Sequence, residues 1–262
     1  MEIRLNQPLL LNEKGKRENN EDSIFPMPGK GTSSDRLFIV CDGVGGAAKG
    51  EVASRLACDS LAAYFSKNKT HPGEAVILEA FDYTQQQFDE YLQNEPLAKG
   101  MGTTLVMMLI HDRGLTAVHC GDSRFYHFRK NRIIWQTSDH NITNELVRQG
   151  VITAEEAASR PKTNRITRAI QGHTVQKTKP DVHFISDVEP GDLFFLCSDG
   201  VLEALSDSDL TDILSSNQTL NEKMEIIHQI CEANSRDNFS AYLIQVKDVS
   251  SESTGNESFS EN

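Results

Sequence analysis

Four aspartates stand where apolar runs stop or start: Asp42 in VCDGVGG, Asp122 in VHCGDSR, Asp199 in FLCSDGV and Asp237 in NSRDNFSAYLI. One such residue needs no more than a turn, since an Asp side chain readily bonds nearby backbone. Four of them, drawn from distant segments and two followed directly by glycine, point instead to carboxylates that meet in the folded chain. Hard divalent cations, Mg²⁺ or Mn²⁺, take oxygen ligands of this kind together with a carbonyl and several waters. The stretch after Asp42 suits that use: the carboxylate is the anionic ligand, and Gly43, Gly45 and Gly46 let the main chain come close and expose a carbonyl. A further acidic pair, Glu21 and Asp22, follows Arg17 in GKRENNEDS, a pattern that by itself also fits a solvated loop.

The elements that must position these groups are mostly short strands. β-like runs occur at RLFIVC (36–41), TTLVMMLI (103–110), LTAVHC (115–120), RFYHFR (124–129), RIIWQT (132–137), DVHFIS (181–186), LFFLCS (193–198) and AYLIQV (241–246). The turns HDRG, RKNR and VEPGD predict antiparallel hairpins between the runs they join. Apolar residues near a 3.6 period predict helices from Glu51 to Phe65 and from Glu74 to Leu92, and a third helical set in DSDLTDILSS and NEKMEIIHQICEAN. Residues 141–170 interrupt the strands with two short helices, Gly150 serving as a stop and Thr153 with Glu156 as a capping box. They form a flap-like insertion. The serine-rich, acidic segment 248–262 has a single Phe to bury and is expected to be a disordered tail.

The chain has 262 residues, with 38 acidic and 26 basic side chains and a formal charge of −12. That balance argues against nucleic acid or an anionic membrane as partner. No apolar stretch approaches the roughly 20 residues of a membrane helix, so a cytoplasmic protein is expected. Five cysteines without C-x-x-C spacing read as reduced, buried thiols.

The series RENNEDS, VCDGVGG, GEVAS, MGTTLV, HCGDSR, SDH, NRITRAIQG, LCSDGV and SRDNFS, in that order, resembles the metal-dependent protein serine/threonine phosphatases, the type 2C or PPM family, in its bacterial stand-alone form. The resemblance implies an α+β fold, a four-layer αββα sandwich of two central antiparallel sheets flanked by antiparallel helix pairs. It places one phosphatase domain at 1–247, with the flap at 141–170.

It also implies two divalent cations, Mn²⁺ or Mg²⁺. Asp42 would bridge them, the Gly43 carbonyl would serve the first, and Asp199 and Asp237 would complete the second. Glu21 and Asp22 would hold waters of the metals, and Asp122, shared with Asp199, would take a third, weaker ion. The alternative for Asp122 is a turn residue paired with Arg124. Arg17 corresponds to the phosphate-binding arginine, its planar fork matching two phosphate oxygens.

A hydroxide shared by the metals would attack phosphoserine or phosphothreonine in a protein substrate directly, with the chain acting as a monomer. Some relatives carry a histidine, a proposed general acid, where this chain has Val44. His140 is a substitute proton donor or a structural hydrogen-bonding residue, and His119 a packing residue in a strand. Arg165 and Arg168 would steer a phosphopeptide or simply face solvent. Two competing classes are a catalytically silent phosphatase-like domain, which would have lost a bridging carboxylate, and a two-metal nuclease, which would need a basic stripe.

Overall fold

A computed structural model of the chain describes residues 1–44, 49–67, 73–158, 165–172 and 177–250. The chain opens with β1 (Glu2–Leu5), β2 (Leu9–Glu13), β3 (Asp22–Phe25) and β4 (Leu37–Asp42), followed by helices α1 (Gly50–Lys67) and α2 (Glu74–Asn94). A run of strands comes next: β5 (Gly102–Thr103), β6 (Leu105–His111), β7 (Gly114–Cys120), β8 (Arg124–Arg129) and β9 (Arg132–Gln136). The insertion holds α3 (Ile142–Arg148) and α4 (Ala154–Ala158). After it come β10 (Ile170–Gln171), β11 (Asp181–Ile185), β12 (Leu193–Cys197), α5 (Asp199–Ala204), α6 (Asp207–Ser215), α7 (Leu220–Asn234) and β13 (Phe239–Ser250).

Two large sheets and a two-stranded one, β10-β5, result, with every strand pairing among the described residues antiparallel. One runs β11-β7-β6-β4-β3; the other runs β1-β13-β12-β8-β9, with β2 also on β13. Alternation sets which face each residue serves. Phe38 and Val40 of β4 and Val106 and Met108 of β6 point inward, against Phe125, Phe194, Leu196, Tyr242 and Ile244 of the other sheet. Their neighbours Ile39, Cys41, Leu105 and Met107 point outward, onto Ala53, Ala57, Leu61, Phe81 and Phe88 of α1 and α2. On the far side Tyr126, Phe195, Cys197 and Leu243 meet Val201, Leu210, Ile227 and Cys231 of α5, α6 and α7. The layer order is helices, sheet, sheet, helices, as expected, but three helices rather than two cover the second sheet. The five cysteines are free and buried.

HDRG and RKNR close hairpins between β6 and β7 and between β8 and β9. VEPGD does not: β11 pairs with β7 while β12 pairs with β8 and β13, so this segment carries the chain from one sheet to the other. Asp192 holds that crossing. Its buried carboxylate accepts from Arg129 Nε at 2.7 Å and from Glu189 N at 2.9 Å, while Gly191 N donates to Val246 O. The final strand also runs to Ser250, three residues into the segment expected to be a tail, because Asp248, Val249 and Ser250 pair with β1. The remainder of that segment, 251–262, lies outside the described residues.

Candidate active site

Strand β4 ends on Asp42, opposite Asp22 of β3 in the register of the sheet. Threonines fix the Asp42 backbone: its N–H donates to Thr104 Oγ1 (3.1 Å), and its carbonyl accepts from Thr104 N and Thr103 Oγ1, both at 2.8 Å. The carboxylate is thus left out of the sheet's own bonding. Gly43 N donates to Glu21 O at 3.0 Å. A Cβ at Gly43 would lie 2.4 Å from the carbonyl of Gly50, so only glycine lets the start of α1 come this near. Gly45 and Gly46 lie outside the described residues.

Asp199 does not end a turn; it opens α5 directly after Ser198. Gly200 is pressed on the 237–238 backbone, where a Cβ would be 1.9 Å from Asn238 O. Ser198 Oγ donates to Asp22 Oδ2 at 2.8 Å and accepts from Ser240 N at 3.0 Å. Asp237 Oδ1 accepts from Asn238 N at 2.8 Å, and its Oδ2 from Arg17 Nη2 at 2.7 Å. Asp122 lies where the chain crosses from β7 to β8, the point at which it leaves one sheet for the other.

The electrostatics show that these acids meet. Asp42 and Asp199 act on one another directly, the contact raising the Asp42 carboxyl and lowering that of Asp199 against the burial that raises both. Burial, reinforced by Asp22, Asp199 and Asp122, holds the Asp42 carboxyl well above the usual carboxylate range. Burial and then the field of neighbouring acids push Asp22 and Asp122 up to about 7. Burial and Glu51 raise Glu21, while Asp237, followed by Glu21 and Asp199, raises Arg17.

Five aspartates and a glutamate therefore act on one another at a site that the Arg17 guanidinium also enters. Asp22 Oδ1 is buried with no hydrogen-bond partner among the described residues. An all-oxygen, excess-anion set with an unsatisfied carboxylate oxygen fits hard divalent cations and their waters.

That fit has a measurable pH signature. A carboxylate whose folded pKa is raised binds more protons folded than unfolded, so in the metal-free protein its contribution to stability falls as pH rises from about 4 through about 7. Cations remove that repulsion. The gain in Tm in Mn²⁺ over that in EDTA is expected to grow between pH 5 and 8, and a gain independent of pH contradicts the assignment.

Sequence reasoning did not single out Asn238, which is 4% exposed. Its Nδ2 donates to Lys14 O (2.7 Å) and Asn19 O (2.8 Å), and its Oδ1 accepts from Glu21 N (2.9 Å), so one amide ties the loop bearing Arg17 and Glu21 to Asp237. Its place directly after Asp237 was the available signal; the loop it would grip, more than two hundred positions away, gave none. Asn238→Ala strands those three groups and is expected to lose about 1–3 kcal/mol of stability in urea titration. Unchanged stability would show that the loop is held by something else.

His140 is buried, with Nδ1 accepting from Gly121 N and Nε2 facing Asp181 at 3.2 Å. Burial, then His119, lowers it to about 4. A ring so enclosed is a structural hydrogen-bonding group and not the substitute acid. His119 packs on it, ring centroids 4.4 Å apart. Arg168 is committed to Asp181 at 2.5 Å, whereas Arg165 is exposed. Arg124 forks onto Asp139 and not Asp122, which frees the latter carboxylate for the cluster. In the insertion, Thr153 and Glu156 form the expected reciprocal cap.

Comparison with known proteins bears on this geometry. Residues 14–243 match the family model described as protein phosphatase 2C. The chain is 32% identical over 235 residues to the serine/threonine protein phosphatase PstP of Mycobacterium tuberculosis, spanning 88% of this chain but 43% of that protein. It is 31% identical over 249 residues to the protein phosphatase PhpP of Streptococcus pneumoniae, spanning 93% of this chain and 98% of that one. Among solved structures, the catalytic domain of PstP in complex with two manganese ions superposes with a TM-score of 0.76 at 30% identity, over 94% of this chain and all of that one. With its aspartates gathered at the sheet ends and a family match running through nearly every element, this chain belongs to the protein phosphatase 2C family.

Proposed function

We propose that the chain is a metal-dependent protein serine/threonine phosphatase that uses two Mn²⁺ or Mg²⁺ ions, with its phosphatase unit extending to Ser250. The observation that carries this reading is the convergence of Asp22, Asp42, Asp122, Asp199 and Asp237 into one field. Asp42, the Gly43 carbonyl, Asp199 and Asp237 would hold the pair, and Glu21 and Asp22 would hold their waters. Asp122 with Asp199 would hold a third, weaker ion. When bound, the cations supply charge neutralisation and make water nucleophilic at neutral pH.

The remaining work falls to the chain. Arg17 has five donors, one of them spent on Asp237, and presents the others to the phosphate. Its field strengthens as the transition state accumulates charge on the equatorial oxygens. Threonines 103 and 104 keep Asp42 from moving with the substrate. The five free, buried cysteines support a reducing, cytoplasmic setting.

Parallel assays with Mn²⁺ on a phosphopeptide, an aryl phosphate and DNA test the proposal. Hydrolysis of the first two, with DNA untouched, is the expected result. Activity on DNA alone points to a nuclease, and activity on none of the three to a silent domain.

A further inference from the structure

His140 lies at the base of the insertion and is tied to backbone on both sides. Its N–H donates to Gly121 O (2.9 Å), its Nδ1 accepts from Gly121 N (3.1 Å), and its carbonyl accepts from Thr167 N (2.7 Å). Its Nε2 faces Asp181 Oδ2 at 3.2 Å, and Asp181 Oδ1 accepts from Arg168. Next along the chain, Asn141 bridges Ile166, and the segment leaving the insertion continues into β10, which pairs with β5. Thr103 of β5 in turn bridges Gly43. The insertion's exit therefore meets the acid cluster twice, at Gly43 through β5 and at Gly121, the residue before Asp122, through His140.

His119, His140 and Asp181 each bring a ligand-type atom within 4.8 Å of the others, which raises the possibility of a separate metal centre. Their hydrogen bonding opposes it. An Nδ1 that accepts the Gly121 N–H carries no proton, so the neutral ring of His140 holds its proton on Nε2, the atom facing Asp181, and has no lone pair there for an ion. His119 Nε2 is 3.0 Å from the Ser138 carbonyl and donates to it. The two rings are stacked with 22° between planes, so they cannot both aim nitrogens at one cation. The trio is a hydrogen-bonded brace.

We propose that His140 is a positioning residue for Asp122: its paired hydrogen bonds to Gly121 set the carboxylate that takes the third cation, and its backbone bond to Thr167 and the approach of Nε2 to Asp181 couple that setting to the segment leaving the insertion. The inference rests on the reading of Asp122 as a cation ligand. It gives a histidine with no access to substrate a measurable effect on metal binding. A group that orients a ligand from behind typically changes metal affinity by about 10–100-fold when removed.

Calorimetric titration of the full chain with Mn²⁺ tests it without relying on turnover. In His140→Asn the amide oxygen takes the place of Nδ1 and still accepts from Gly121 N. In His140→Gln the amide reaches toward Asp181 and abandons Gly121. The Gln variant is expected to weaken the third binding step about tenfold while leaving the tight pair unchanged, and the Asn variant to restore most of that loss. A third step unchanged in Gln, or weakened equally in Asn and Gln, overturns the proposal. Asp122→Asn separates the two readings: it is expected to abolish the third step. Persistence of that step in Asp122→Asn sinks both, whereas its loss there beside a normal third step in Gln sinks only the role of His140. Thermal melting of each variant confirms that the comparison is made on folded protein.

Discussion

Asp42→Asn is expected to yield a folded protein whose Mn²⁺-dependent hydrolysis is at least ~10³-fold lower. The fold does not use this carboxylate. Its backbone is pinned by Thr103 and Thr104, and its side-chain partner is another acid, Asp199. Burial, with Asp22, Asp199 and Asp122 beside it, disfavours the ionised Asp42 carboxyl, and a neutral amide removes that cost, so the metal-free variant is expected to melt higher than the metal-free parent. Each kcal/mol is worth about 2–4 °C in a chain of this size. Lost activity with raised apo-stability is the mark of a residue kept for function at the expense of the fold. Phosphopeptide hydrolysis and a melt in EDTA read the two halves. Substantial residual turnover, or a large drop in apo-stability, contradicts the assignment.

The second large effect is at Arg17. Its guanidinium is half exposed and meets Asp237 across 2.7 Å. Charge alone does not account for the expected result, because a lysine keeps the charge but not the fork. Arg17→Lys is expected to lower kcat/KM by about 10²-fold, and Arg17→Ala by about 10³-fold, the range found when one preorganised donor to a developing charge is removed. Mn²⁺ affinity is expected to persist in both, since the variants free Asp237 and do not remove it. Equal activity in Lys and wild type would reduce Arg17 to a point charge, and lost metal binding would make it part of the scaffold.

The fold was legible where physics is local. β12 is apolar throughout, and β6 up to His111, because both faces are covered, and α1 and α2 show their buried face at helical spacing. Asp42 and Asp237 stood out because a carboxylate at the edge of an apolar run is conspicuous. What stayed hidden depends on partners distant in the chain. β1 and β2 are short and weakly patterned, and they become strands because β13 offers them an edge. VEPGD has hairpin chemistry, yet Asp192 and Arg129 turn it into a crossing between sheets. Asp199 was as conspicuous at the end of its apolar run, but its opening of α5, with the Asn238 carbonyl pressed against Gly200, was not. Asn238 itself looks like any polar neighbour of an aspartate, since the three backbone groups it satisfies are assembled only by folding.

Anomalous diffraction at the manganese edge, from a crystal soaked in Mn²⁺, reaches the central claim most directly. The account predicts two strong peaks separated by the Asp42 carboxylate, one of them also contacted by Asp199 and Asp237, with a weaker third beside Asp122. Peaks absent from among these four side chains, or density placing their carboxylates apart with ions bound elsewhere, would contradict it.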